Sequence, residues 1–220
     1  MCGRMVLIEL TADLLKSLHL HDIQPLEPRY NIAPTQQVPV IRTIDNQRHL
    51  DHLKWGLIPS WAKDPSIGSK MINARAETVQ EKPSFRTALK HRRCLVPVNG
   101  FYEWQHIEKQ KIPYFVKLKG NDPMLFAGLW DHWKSPEGEL IESFTIITTS
   151  NNELLEPIHN RMPVILHPSA YDTWLDPSVT SPEDLTPLLQ PYPSGWMETY
   201  PVAHLVNISS KDGPDLIKPV

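Results

Sequence analysis

Apolar positions along this chain come in short bursts that alternate with polar ones or run unbroken for only a few residues. The stretches "RMVLIEL" at 4–10, "QQVPVIRTI" at 36–44, "HLDHLKWGL" at 49–57 and "RCLVPV" at 93–98 have the length and β-branched content of strands. So do "FYEWQHI" at 101–107, "YFVKLK" at 114–119, "MLFAGLWDHW" at 124–133 and "ESFTIITT" at 142–149. Turn-forming "DN", "GND" and "SPEG" stand between several of them, which predicts hairpins. Helical spacing is confined to short pieces: "TADLLKSLHL" with Thr11 as cap, "SFRTALKH" with Ser84, "SNNELLEP" with Ser150, "PSAYDTWL", and "SPEDLTPLLQ" with Pro182 in its first turn. The pattern predicts an α+β fold, a mainly antiparallel sheet or barrel-like core of short strands with several short peripheral helices. A length of 220 residues without internal repeat or linker fits a single domain over 1–220.

Composition narrows the class. Proline outnumbers glycine 22 to 9 and is spread along the chain, so connections are stiff and long helices scarce. No apolar run approaches the ~20 residues that cross a bilayer, and the opening is too soon interrupted by acid to be a secretory signal. A cytoplasmic protein that avoids membranes is therefore expected. Net charge is −3, so any nucleic-acid binding has to rest on a local patch. The two cysteines, Cys2 and Cys94, cannot build a disulfide framework, and no Cys/His set has zinc-ligand spacing.

The chain opens "MCGRM". Trimming of Met1 ahead of a small residue would leave Cys2 with a free α-amine beside its thiol. Such an amine attacks an aldehyde to give an imine, and the neighbouring thiol closes a five-membered thiazolidine. Ordinary pKa values of ~7.7–8.0 for the amine and ~8.5 for the thiol leave reactive forms of both near neutrality. Strand alternation in "GFYEWQH" puts Glu103 on the face of Phe101 and Gln105, opposite Tyr102 and Trp104. An enclosed carboxyl there suits proton donation and acceptance. From pattern alone, an exposed strand glutamate or a buried partner for an arginine is the better fit for Glu103.

"MCGR", "RYNIAP" at 29–34, "WGLIPSW" at 55–61, "NARAET" at 73–78, "GFYEW" at 100–104 and "HNRMPVIL" at 159–166 occur in that order. Together with the C-terminal "AHLVN" and "IKPV", they resemble the SRAP family of abasic-site processing proteins, first labelled SOS-response-associated peptidases. The resemblance implies that Cys2, freed of Met1, captures the ring-opened aldehyde of an abasic site in single-stranded DNA as a covalent crosslink. The older naming also implies a self-processing peptidase.

The same resemblance distributes roles. Glu103 is the acid/base that opens the sugar and assists imine formation. His159, in a loop ahead of Arg161 and Pro163, is a second acid/base with imidazole's ordinary pKa of ~6.5. Asn73 orients the Cys2 amine or a sugar hydroxyl, or caps a following helix. Arg4, Arg75, Arg86 and Arg161 are the phosphate contacts. Trp61, past Pro59 in a loop, is placed to stack on an unpaired base, whereas Trp55 in a strand pattern belongs in the core. Asn31 and Pro34 shape the pocket floor. The cationic "KHRR" at 90–93 reads as a helix end complementing its dipole. Neither metal nor organic cofactor is required, the partner is single-stranded DNA with abasic sites, and a monomer, nucleoid-associated when on DNA, is expected. Met5 and the loop "AKDPSIGSK" after Trp61 depart from the family pattern. An N-terminal-nucleophile amidohydrolase would explain "MCG" alone, and a non-covalent single-strand binder would leave Cys2 incidental.

Overall fold

The computed structural model of the chain describes residues 2–21 and 23–220, so the expectation that Met1 is removed concerns a residue outside that range. Among the described residues there are twelve strands: β1 (Met5–Leu7), β2 (Arg29–Ile32), β3 (Gln37–Ile44), β4 (Gln47–Trp55), β5 (Asn73–Arg75) and β6 (Arg93–Val98). They continue with β7 (Gly100–Ile107), β8 (Gln110–Leu118), β9 (Met124–Lys134), β10 (Leu140–Ser150), β11 (Arg161–Pro163) and β12 (Met197–Pro201). One sheet has the order β12-β8-β7-β1-β2. The other runs β11-β10-β4-β3-β6-β9, and β9 pairs again with β10, so that β4, β3, β6, β9 and β10 close a small barrel. The pairings of β10 with β4 and with β5 are parallel and the rest are antiparallel. This is the α+β, barrel-like architecture the pattern predicts.

Alternation along the barrel strands divides two apolar faces. Val38 and Val40, Cys94, Val96 and Val98, Met124 and Phe126, and Phe144 and Ile146 point into one cluster. Their neighbours Ile41, Leu95, Leu125, Ala127, Leu129 and Ile147 point into a second. That outer cluster is covered by α1 (Ala12–Ser17), α2 (Arg86–His91), α3 (Tyr171–Leu175) and α4 (Pro182–Leu185), through Leu18 just past the end of α1 and through Leu89, Trp174 and Leu185. Strands buried on both faces need apolar side chains throughout, which is why β6 and most of β9 read as unbroken apolar runs. The other sheet lays Met5, Ile32, Phe101 and Val116 on the inner cluster and turns Val6, Tyr102 and Phe115 toward the C-terminal segment.

The "DN" turn between β3 and β4 has both central residues at positive φ, Asp45 at 49° and Asn46 at 61°, as a two-residue type I′ hairpin requires. Thr11 caps α1 by accepting from the Leu14 N–H, and Ser181 caps α4. Two expected caps are not formed. The helix near 84–91 begins at Arg86 after Phe85, without a side-chain cap, so Ser84 lies outside it. The "SNNELLEP" helix is absent: Ser150 ends β10 opposite Arg161, and the chain must reverse from β10 into antiparallel β11. It does so in consecutive turns held by Asn152, whose Oδ1 accepts from the Leu155 N–H at 3.2 Å. The strands β2, β5, β11 and β12 were not legible as strands because three to five residues are too few for a period to show. No described helix is long and apolar enough to cross a membrane.

Candidate active site

The amino terminus reaches the site along β7. Met5 pairs with Phe101 and Val6 with Gly100, and the Tyr102 N–H donates to the Arg4 carbonyl at 3.0 Å. Continuing that register sets Gly3 beside Glu103. Cys2, one step further, is fully buried in the same apolar cluster as Trp55, Phe144 and Ile146. Its carbonyl accepts from the Asn73 Nδ2 at 2.8 Å. Asn73 opens β5 opposite Ile146 and caps no helix; its Oδ1 is buried and has no hydrogen-bond partner among the described residues. Burial, and then the charge of Glu103, push the Cys2 thiol above its ordinary range, so it is a neutral S–H at physiological pH.

Beside this buried residue lies a cavity of about 420 Å³, lined in part by Gly3, Arg4, Glu103 and His159. Glu103 is only 2% exposed, on the face of Phe101 and Gln105 as alternation predicts. His159 follows the turns after β10; its Nδ1 lies 3.0 Å from the Arg161 backbone nitrogen, which can donate to it. The Arg161 carbonyl lies 3.1 Å from the same Nδ1, ready to accept when the ring is protonated. The Arg161 backbone therefore holds this imidazole in one orientation. Among the described residues no group of three His, Cys, Asp or Glu side chains gathers as a metal site would need.

The expected cations and aromatics divide. Arg4 donates to the Asn31 Oδ1 at 2.7 Å and to the Val206 carbonyl at 2.6 Å, and burial lowers its pKa. Asn31 in turn donates to the carbonyls of Ile208 (3.1 Å) and Lys211 (2.8 Å), so the pair fastens the C-terminal segment under the cavity. Pro34 starts the turn between β2 and β3, where Thr35 takes φ 74°. Arg161 forks onto the Glu77 carboxylate, holding it below the usual carboxylate range, and also donates to the Thr148 carbonyl at 2.5 Å. Arg75 on β5 and Arg86 at the start of α2 are exposed, and neither lines the cavity. Trp61 is 58% exposed, outside the cavity, on a loop fixed to β9 by the Ser60 N–H to Asp131 (3.1 Å) and the Trp133 indole N–H to the Ala62 carbonyl (2.6 Å). Trp55 is buried and donates to the Ile72 carbonyl at 3.0 Å. Arg93, from the "KHRR" stretch, is buried and donates to the carbonyls of Leu89, Lys90, Trp174 and Asp176, which ties α2 to α3.

The sequence profile of the SOS response associated peptidase (SRAP) family matches residues 1–209. The chain belongs to the SRAP family. It is 46% identical over 222 residues to the abasic site processing protein YoqW of Bacillus subtilis, covering 99% of each chain. The mouse abasic site processing protein HMCES is 33% identical over 231 residues, which span 87% of this chain and 65% of the mouse protein. A crystal structure of a protein from Bacteroides thetaiotaomicron superposes with a TM-score of 0.86 at 30% identity over 100% of both chains. The cavity in this SRAP chain is also lined by Trp104, His106, Lys111 and Asn207, none of which is among the expected site residues, although Trp104 and Asn207 lie in the quoted "GFYEW" and "AHLVN". The missing signal was a turn: "EK" at 108–109 carries no glycine, proline or asparagine, yet it closes the β7–β8 hairpin with Glu108 at φ 53° and sets His106 directly across from Lys111.

Proposed function

We propose that this protein processes abasic sites in single-stranded DNA by forming a covalent adduct through Cys2 after Met1 is trimmed. The observation that supports the reading is that Glu103 and His159 line one cavity together with Gly3, next in the chain to a Cys2 that is held by Asn73 and feels the charge of Glu103. The relatives from Bacillus subtilis and mouse, both named abasic site processing proteins, support the substrate. Because the thiol is held in its neutral, poorly nucleophilic form, the α-amine acts first.

The reaction is written as follows. The closed sugar opens as the C1′–O4′ bond breaks, the C1′ hydroxyl proton passing to the Glu103 carboxylate while the His159 imidazolium protonates O4′ and is left as neutral imidazole. The Cys2 amine adds to the C1′ aldehyde, and the carbinolamine leaves its hydroxyl as one water protonated by Glu103, which gives an iminium. The Cys2 sulfur then bonds to C1′, its proton passing to the Glu103 carboxylate, and the iminium electron pair returns to nitrogen to complete the thiazolidine. Aldehyde and cysteine together lose one water. Holding amine and thiol on one residue makes ring closure intramolecular, an advantage of ~7–11 kcal/mol in well-oriented cases. Reversal runs through the same groups, which is where lyase-like release and the peptidase of the family name would draw on them.

The test incubates Met1-trimmed protein with a single strand bearing one abasic site and follows a heat-stable shifted band. Wild type forms it, intact DNA gives none, Cys2→Ser abolishes it, and Glu103→Gln slows its appearance by about 10²-fold, the usual range for a lost general acid/base group. A stable band from Cys2→Ser overturns the reading, and so does ammonia release from glutamine with no DNA adduct.

A further inference from the structure

We infer that Lys111 and His106 form the seat for a backbone phosphate of the DNA strand flanking the captured sugar. The inference rests on the proposed abasic-site reading and adds to it where the strand's charge is held. Two of the arginines expected to bind phosphate are engaged inside the protein: Arg4 with Asn31 and the Val206 carbonyl, Arg161 with Glu77 and Thr148. A phosphate on either must displace a partner that already matches the guanidinium fork. Lys111 and His106 differ in each respect. They are exposed, they line the cavity, and among the described residues neither has an ion-pair partner.

Their placement is fixed by the backbone. His106 and Lys111 are directly cross-strand, one pair below the two-residue turn that follows Ile107 and precedes Gln110. Two side chains so paired converge within ~4.5–5.5 Å at Cβ, close enough to share the oxygens of one phosphate. The charge layout sorts the substrate. Buried Glu103 repels a phosphate and admits the neutral sugar, while exposed Lys111, beside His106, attracts the anionic backbone. A lysine ammonium, a compact charge on a flexible stem, suits a phosphate whose approach varies with the strand.

The experiment measures non-covalent binding of an undamaged single-stranded oligonucleotide by fluorescence anisotropy across a salt series, with the whole protein. Each phosphate contact on a single strand contributes ~0.7 to the slope of log K against log salt. Lys111→Gln is expected to reduce that slope by about 0.7 and to weaken binding several-fold at low salt, and Lys111→Arg to restore most of the slope. Lys109→Gln, on the same hairpin but outside the cavity, is expected to leave the slope at its wild-type value. An unchanged slope for Lys111→Gln, or an equal drop for Lys109→Gln, overturns the seat. Failure of the underlying reading shows separately, as wild-type protein that yields no covalent product with an abasic strand in the band assay.

Discussion

Cys2 sets the order of events at the scale of single residues. A thiol raised in pKa stays in its poorly nucleophilic neutral form, so the chemistry depends on how the backbone around it is held. Asn73 does the holding through its 2.8 Å donation to the Cys2 carbonyl. Asn73→Ala removes that bond, and Asn73→Asp sets a carboxylate oxygen against the carbonyl in a buried place. Each should lower the rate of adduct formation at least tenfold, with Asp the more damaging and also less stable by about 1–3 kcal/mol. Single-turnover kinetics beside urea melts checks both; an Asn73→Asp protein that reacts at the wild-type rate contradicts the positioning role. At this scale the sequence was partly legible. The face of Glu103 follows from alternation alone, whereas the engagement of Arg4 by Asn31 joins positions 27 residues apart and leaves no local trace.

Elements decide where those residues meet, and β7 is the one that matters most. It receives β1 on one edge and β8 on the other, and its first residue, Gly100, packs directly against β8. A Cβ at Gly100 would lie 2.2 Å from the Phe115 Cζ and 2.9 Å from the Val116 carbonyl oxygen, so glycine stands there for close approach and not for an unusual φ. Gly100→Ala should destabilise the protein by about 1–3 kcal/mol, as overpacking does, and slow adduct formation by shifting Glu103. The urea midpoint reads the first effect; an unmoved midpoint would mean that β7 and β8 separate freely. Long strands with alternation or continuous burial were readable. The "SNNELLEP" segment misled because its helical spacing is real, but the β10–β11 pairing claims Ser150 and leaves room only for turns.

For the whole molecule, burial has a pH signature. Burial raises the pKa values of Cys2, Cys94, Tyr102 and Tyr171, so folding favours their neutral forms. The unfolded chain gives up these protons first, beginning near the ordinary thiol value of ~8.5. Their contribution to stability is thus fully present below that pH and is lost as pH rises above it, by up to ~1.4 kcal/mol per pH unit for each group. Thermal melts between pH 9 and 11 should show a steep fall, made shallower by one proton in Cys94→Ala. An identical slope in that variant contradicts the assignment. Barrel closure through β9 and β10, beside which Cys94 on β6 is buried, joins strands whose pairing the order of apolar runs does not reveal.

The central claim, joint action of the Cys2 amine and sulfur on one sugar aldehyde, is tested most directly by intact and fragment mass analysis of the product with an abasic strand. The expected mass is that of the Met1-trimmed chain plus the strand less one water, with the link on residue 2 and no need for borohydride. An adduct on a lysine, or one that survives only after borohydride reduction, contradicts it.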